Sequence, residues 1–464
     1  MTSAFTTLPL ATPLLATLDE LNYSATTPVQ AQALPHVLAG KDVIVQARTG
    51  SGKTAAFALG LLQKLEVQRF RVQSLVLCPT RELADQVAEE IRTLGRGMHN
   101  IKVLTLCGGV PQRAQIISLE HGAHIIVGTP GRILDHLNNQ RIDFSELTTL
   151  VLDEADRMLE MGFQDDLKAI IKTTPKNRQT LLFSATYPSQ IEQLATGLLQ
   201  QPETIVVADA PEQSSIQQAF YSLNGVPRDN AVKRLLQAYQ PASCVVFCNT
   251  KRATQAMADS LRAQGYSALA LHGDLEQKDR DQTLVQFNNR SARILVATDV
   301  AARGLDITDL DLVINSEIAH DTDTHVHRIG RTGRAGAEGL AVTLVAEGEQ
   351  HGLSLIEDLL ARQNQQYRIE LKALPEQKLL TQEPLAAAMV TLQILGGKKH
   401  KLRPGDIVGA LTKDNQVPFS EIGKIQVQAA WSYVAVSPEK ERVALHVLNN
   451  NRLKGRSFRA FRVR

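Results

Sequence analysis

The chain has 464 residues, 43% hydrophobic and 21% charged, with a formal net charge of +2. These values are those of soluble globular protein with room for two or three domains, and they exclude a disordered, collagen-like or membrane-embedded chain. Cys78, Cys107, Cys244 and Cys248 lie in apolar runs with no Cys-x-x-Cys pair, which argues for buried reduced thiols rather than a disulfide scaffold or a zinc knuckle.

No Lys or Arg precedes Lys41, and no apolar run approaches the length of a membrane span. A soluble, cytoplasmic protein with no membrane partner is therefore expected, and it is taken to be a monomer. The charge is unevenly spread: residues 386–464 hold 14 Lys and Arg against 5 Asp and Glu, whereas the remainder holds 36 against 43. A net of +9 on so short a tail points to a polyanionic partner for that part of the chain.

Residues 1–40 read as a helical lead-in. Short apolar runs then alternate with helical patterns, with strands expected near Val43–Gln46, Ser74–Cys78, Val103–Leu106, His124–Val127, Thr149–Leu152, Thr180–Phe183 and Thr204–Val207. Several are apolar throughout, as in parallel strands covered on both faces, so a doubly wound α/β domain over 1–208 is predicted, with its ligand at the carboxyl ends of the strands. A polar stretch around 209–215 reads as a linker. A second alternating series follows, with strands near Ala219–Leu223, Ser243–Cys248, Ala268–Leu271, Ile294–Ala297, Leu312–Asn315 and Leu340–Leu344, and defines a second α/β domain over 209–370 without a phosphate loop. From Arg362 to about Pro384 the chain reads as helix end plus linker. Residues 385–464 then change rhythm to strand, helix, strand, strand, helix, strand, a small α+β sandwich like the RNA-recognition-motif fold.

The first α/β segment carries Ala47-Arg48-Thr49-Gly50-Ser51-Gly52-Lys53-Thr54 between an apolar strand and a helix. Its glycines let backbone N–H groups curl around a phosphate, and the helix N-terminus adds its unpaired donors. Lys53 is positioned to reach the β- and γ-phosphates, and the Thr54 hydroxyl to hold Mg²⁺. Asp153-Glu154-Ala155-Asp156 follows the apolar strand Leu150-Val151-Leu152. Asp153 is the candidate second Mg²⁺ holder and Glu154 the candidate base for the water that attacks the γ-phosphate. His320, His325 and His327 crowd together without a cysteine, and a metal site there is not expected.

Asp153-Glu154-Ala155-Asp156 resembles the signature of the DEAD-box RNA helicases, and the family's other motifs stand at their places over about residues 5–345. Phe5, Tyr23 and Gln30 are similar to the adenine-recognising motif, although Asn22 stands where a glycine is usual. Then come Pro79-Thr80-Arg81-Glu82-Leu83-Ala84, Gly108-Gly109, Thr129-Pro130-Gly131-Arg132 and Ser184-Ala185-Thr186. The second domain has Gln277 with Arg280, Ala297-Thr298-Asp299-Val300-Ala301-Ala302-Arg303-Gly304-Leu305-Asp306, and His327-Arg328-Ile329-Gly330-Arg331-Thr332-Gly333-Arg334. Both helicase segments are thereby expected to be RecA-like.

The resemblance implies ATP and Mg²⁺ as ligands. The amide of Gln30 offers the donor and acceptor that an adenine edge needs, and Tyr23 offers a ring for stacking. Gly304 and Asp306 are expected at the nucleotide, and Arg331 and Arg334 as arginine fingers for the γ-phosphate, three apart and on one face if helical. Pro79, Thr80, Arg81, Gly108, Gly109, Thr129, Arg132, Arg280 and Thr298 resemble the RNA-contacting set, which reads phosphates and sugars rather than bases. Ser184, Thr186, Asp156 and His327 are expected to couple nucleotide state to RNA.

The tail, with Lys398, Lys399, Lys401 and Arg403, resembles that of one bacterial branch of the family, in which it recognises a hairpin of 23S ribosomal RNA. Implied is an ATP-dependent helicase that remodels ribosomal RNA during large-subunit assembly. The alternative is an ATP-gated RNA clamp or assembly scaffold that separates no strands. The tail lacks the aromatic pair of a base-stacking sheet; Tyr433 and Trp431 are its only candidates, and a core role is at least as natural for either.

Overall fold

The apolar runs become strands because β-branched and leucine side chains fill both faces of a covered parallel sheet. The structure, a computed structural model, describes residues 3–47, 50–187, 189–207, 216–302, 310–333, 339–363 and 368–463. The chain divides into two units, 1–211 and 212–464.

In the first unit, strands β1 (Val43–Gln46), β2 (Ser74–Leu77), β3 (Val103–Leu106), β4 (Ile125–Gly128), β5 (Thr149–Leu152), β6 (Gln179–Ser184) and β7 (Glu203–Val206) form one parallel sheet in the order β3-β4-β2-β5-β6-β1-β7. Helices cover both faces, with Val43, Val45, Phe57, Ile125 and Phe183 in the core on one side and Leu75, Leu77, Leu150, Leu152 and Leu182 on the other. Helix starts are written locally. Helix Pro28–Leu38 begins with a reciprocal capping box between Thr27 and Gln30 and has Pro28 at its first position. Helix Arg81–Leu94 is capped by the Thr80 hydroxyl, which accepts from the Leu83 N–H at 3.3 Å.

In the second unit, strands β8 (Ile216–Ser222), β9 (Cys244–Phe247), β10 (Ala268–Leu271), β11 (Ile294–Ala297), β12 (Leu312–Asn315), β13 (Gly339–Val345) and β14 (Leu371–Ala373) pair in parallel in the order β10-β11-β9-β12-β13-β8-β14. Strand by strand this is the order of the first sheet, although no sequence repeat announces it. β14 lies where a linker is expected from sequence; it is a three-residue edge strand, exposed throughout, with no apolar pattern to betray it.

The last four strands, β15 (Val390–Ile394), β16 (Ile422–Val427), β17 (Ser432–Val436) and β18 (Ala460–Arg462), form an antiparallel sheet ordered β16-β17-β15-β18. Helices Pro404–Thr412 and Glu441–Asn450 close one face over Leu392, Ile394, Val434 and Val436. The other face packs on helix Gln277–Asn288 of the same unit. Val285, Tyr433 and Val463 make a small buried cluster there, with Trp431 against it. Around it Asn289 Nδ2 donates to Thr391 Oγ1 at 3.2 Å, Gln282 Nε2 to Gln393 Oε1 at 3.2 Å, and the Ser291 and Thr391 hydroxyls meet at 2.6 Å.

The preceding segment is fastened as well. Gln237 Nε2 donates to Gln382 O, Arg293 Nε to Ala386 O, and Met389 N to Arg290 O. The end of the stretch read from sequence as helix end plus linker, and the residues just after it, are thus held against the second α/β series. Tyr433 is a core residue at 1% exposure, and burial pushes its hydroxyl up to about 12.

Candidate functional site

Sheet order sorts the motifs of the first unit into two groups. β1, β6 and β5 are neighbours, so the loops after them bring Ala47 and Gly50 to Thr54, Ser184 to Thr186 and Asp153 to Asp156 together at one half of the carboxyl edge. β2, β4 and β3 are neighbours in the other half, and their loops bring Pro79 to Arg81, Thr129 to Arg132 and Gly108 with Gly109 together there.

The phosphate loop is built from short-range rules. Gly50 and Gly52 have φ of +83° and +89°, in the left-handed region that glycine reaches without strain. A Cβ on Gly52 would also come within 2.6 Å of Gln30 Nε2. Helix Lys53–Lys64 starts immediately after, and Lys53 Nζ donates to Ala47 O at 2.6 Å. Arg48 and Thr49 lie outside the described residues.

Gln30 is 2% exposed and both ends of its amide are engaged: Oε1 accepts from Thr27 N at 2.8 Å, and Nε2 donates to Gly52 O at 3.2 Å. Thr27 Oγ1 donates to Ser51 O at 2.8 Å. The adenine-reading amide expected from sequence therefore clamps the phosphate loop in this structure. Tyr23 donates its hydroxyl to Glu90 Oε1 at 3.1 Å, and burial, reinforced by that carboxylate, pushes it up to about 12. Phe5 meets its ring edge-on at 6.1 Å.

Asp153 is 3% exposed, and burial raises its carboxyl to about 7 against the opposing pull of Lys53. It accepts from the Glu154 N–H at 3.1 Å. Glu154 has φ +51° and ψ +52°, an unusual conformation for a side chain of this size, and it is set at the start of helix Ala155–Glu160. Holding a non-glycine residue there costs of the order of 1–3 kcal/mol, and such strain gathers at working sites. Asp156 Oδ2 accepts from Ala185 N at 3.2 Å and from both Thr186 N and Thr186 Oγ1 at 3.0 Å, which locks β6's loop to β5's. Ser184 Oγ is buried without a partner.

Glycine-loop donors, a buried ammonium, a hydroxyl at the helix start and a buried carboxylate suit a nucleoside triphosphate with a divalent cation.

The second unit treats its charge differently. Arg328, 1% exposed, is bidentate to Asp299 (Nε to Oδ1 2.6 Å, Nη2 to Oδ2 2.7 Å), donates to Asn249 Oδ1 and Glu317 O, and lies over the Phe247 ring at 5.4 Å. Arg280 donates to Ala301 O at 2.8 Å, joining helix Gln277–Asn288 to the segment that follows the buried Thr298.

Helix Thr322–Ile329 ends at its cap Gly330, so Arg331 lies in the turn beyond and shares no helical face; Arg334, Gly304 and Asp306 are outside the described residues. His327 sits in that helix with Nδ1 buried and unbonded. His325 pairs with Gln218 Oε1 at 3.0 Å, and burial, aided by Arg328, lowers it to about 4. Asp299 and Arg328 were legible only as members of motifs. The docking set Gln282, Val285, Asn289, Thr391 and Gln393 had a signal of its own, since Thr391 and Gln393 alternate with Val390, Leu392 and Ile394 on a strand whose second face is buried too.

In the tail, Lys398, Lys399, Lys401 and Arg403 are exposed on one loop. Lys454 Nζ donates to Lys401 O at 2.9 Å and pairs with Asp406 at 3.4 Å, which brings the loop holding Lys454 and Arg456 alongside.

Comparison with known proteins agrees with this layout. Residues 27–194 match the DEAD/DEAH box helicase family, 228–336 the helicase conserved C-terminal domain and 391–462 the DbpA RNA binding domain. The chain belongs to the DEAD-box ATP-dependent RNA helicases, in the DbpA-like branch. It is 52% identical to the ATP-dependent RNA helicase DbpA of Escherichia coli over 98% of this chain and 99% of that one, and 37% identical to DbpA of Bacillus subtilis over 98% of each. Among solved structures, S. cerevisiae Dbp5 bound to RNA and ADP BeF3 matches with a TM-score of 0.72 and 27% identity, covering 81% of this chain and 97% of that one. The protein is thus an RNA-dependent ATPase and helicase with an RNA-binding C-terminal domain. Among the described residues no helix is long and apolar enough to cross a membrane.

Proposed function

We propose that this helicase remodels ribosomal RNA during assembly of the large subunit, directed there by a 23S rRNA hairpin held on the C-terminal domain. The observation that carries the reading is the pairing of the two basic loops, Lys398 to Arg403 beside Lys454 and Arg456, on a domain whose open sheet face is taken by helix Gln277–Asn288. With that face covered, phosphate contacts from the loops are the natural mode of binding, and they position an RNA by shape and charge.

In the same reading Lys53 holds the β- and γ-phosphates, and Glu154 takes the proton of the attacking water. Arg331 and Arg334 meet charge that develops on the γ-phosphate. Thr54 and Asp153 would hold Mg²⁺, which when bound neutralises phosphate charge. Asp156 carries the state of the site to Ala185 and Thr186, next to Ser184, through the three bonds it accepts. Pro79, Thr80, Arg81, Gly108, Gly109, Thr129, Arg132, Arg280 and Thr298 take the RNA backbone. The four buried cysteines, none in a disulfide, suit a reducing cytoplasm.

The test compares unwinding of a short RNA duplex with and without the large-subunit hairpin appended. Wild type should unwind the hairpin-bearing duplex at far lower protein concentration. Replacing Lys399, Lys401 and Arg403 by Ala should erase that advantage and flatten the salt dependence of hairpin binding by about three phosphate contacts' worth. Equal unwinding of both substrates by wild type would overturn the targeting.

A further inference from the structure

Helix Gln112–Glu120 follows the Gly108-Gly109 loop and buries one residue of its own, and that residue is Gln115. An amphipathic surface helix ordinarily turns aliphatic side chains inward, so a glutamine at 4% exposure calls for an explanation. All three of its recorded bonds go to elements that carry proposed RNA contacts. Nε2 donates to Cys107 O at 2.9 Å, the carbonyl immediately before Gly108. Oε1 accepts from Arg132 Nη1 at 2.9 Å and from His136 Nε2 at 2.9 Å, both on helix Pro130–Asn138, which opens just after Thr129.

The polarity of the arrangement is fixed by its partners. A carbonyl oxygen only accepts and a guanidinium only donates, so the amide can face one way alone, and His136 must carry its proton on Nε2. His136 is fully buried, its Nδ1 is unbonded, and burial lowers its proton affinity, which keeps it neutral in this role. Arg132 Nη1 also reaches Val110 O at 3.3 Å, and Gln112 Nε2 reaches Asp135 at 2.5 Å, so the clamp is closed on both sides. Above it, a Cβ on Gly108 would meet nothing within 4 Å, which leaves the loop's outer surface open.

We infer that Gln115 is a positioning residue that fixes the Gly108-Gly109 loop against the Thr129-to-Arg132 turn, so that the backbone groups of one and the guanidinium of the other face an RNA strand as a single preformed surface. It contacts no RNA itself. Its amide joins the carbonyl just past β3 to two side chains of the helix after β4, and preorganisation of this kind lowers the ordering cost of binding. The inference rests on the reading that these two loops take RNA.

The test is RNA-stimulated ATP hydrolysis by the full chain. Gln115→Met keeps the volume and removes all three bonds. It is expected to raise the RNA concentration for half-maximal stimulation about tenfold, with KM for ATP and kcat at saturating RNA within about twofold of wild type. Gln115→Glu retains acceptors for Arg132 and His136 but turns an oxygen toward Cys107 O. It is expected to weaken RNA half-saturation in the same way, and it supplies the answer should Gln115→Met fold poorly. A folded Gln115→Glu or Gln115→Met protein with wild-type RNA half-saturation overturns the inference, as does a parallel fall in kcat and ATP affinity. Thr129→Ala separates the two levels. If it weakens RNA half-saturation while the Gln115 variants do not, only the positioning role fails; if it too has no effect, the RNA assignment of the loops fails.

Discussion

The two seven-stranded sheets share one strand order, yet they manage charge at their carboxyl edges in opposite ways. In the first, burial raises Asp153 to about 7, Ser184 Oγ has no partner, and Lys53 is turned back onto Ala47 O. In the second, the most deeply buried charge, Arg328, is already answered by Asp299, Asn249 and Glu317 O. Among the described residues, the first edge leaves charge for a ligand to meet, and the second answers its deepest charge from within. A shared topology therefore says where a site can be, at the carboxyl ends of the strands, and the loop residues decide whether it binds or braces.

The contrast can be broken most severely at Glu154. Glu154→Gln keeps shape and should leave ATP binding intact while lowering kcat by about 10²- to 10⁴-fold, measured as RNA-stimulated phosphate release, with thermal stability unchanged. Hydrolysis near the wild-type rate would remove Glu154 from the role of base. At the second edge the expected damage is to stability. Arg328→Met strands the Asp299 carboxylate in a buried site, which costs about 3–5 kcal/mol and should lower the melting temperature of that unit by roughly 10 °C. An unchanged melting curve would mean that the pair is better hydrated than its 1% and 13% side-chain exposures indicate.

The smallest expected effect sharpens the same point through pH. His325 is held at about 4 in the folded state against an ordinary 6.5. A depressed folded value adds stability that is complete above 6.5 and is lost as pH falls toward 4, because the unfolded chain takes up the proton first. Urea unfolding at pH 7 and pH 4.5 should show wild type losing about 2–3 kcal/mol more than His325→Gln, from a difference of that size in proton affinity. Equal losses in the two proteins would place the acid sensitivity elsewhere.

The tail makes a second contrast. Its basic loops were legible as charge, and its strand pattern as an RNA-recognition-motif-like sandwich. That its sheet face packs on helix Gln277–Asn288 was not, because the contact joins residues more than one hundred positions apart, such as Asn289 with Thr391. Arg280 lies on the same helix and bonds to Ala301 O, so the docked domain and one proposed RNA-contacting residue share a rigid element.

By itself the sequence determined the local machinery. The phosphate loop needs glycines at left-handed positions, a strand before it and a helix after it, and all of that lies within some twenty consecutive residues; the same holds for the Thr27 and Thr80 caps. The family motifs carried the activity in the same linear way. Only the tertiary structure decided which motifs stand together. β1 pairs with β6, β6 with β5, β2 with β4 and β4 with β3, so motifs that alternate along the chain are gathered into two groups at the two halves of the carboxyl edge. Four-residue apolar runs such as Val43–Gln46 and Thr149–Leu152 carry no mark of their neighbours, because burial on both faces asks each for the same kind of side chain. Their order is chosen by non-local pairing, and with it the place of Gln115, whose three partners meet only once β3 and β4 lie side by side.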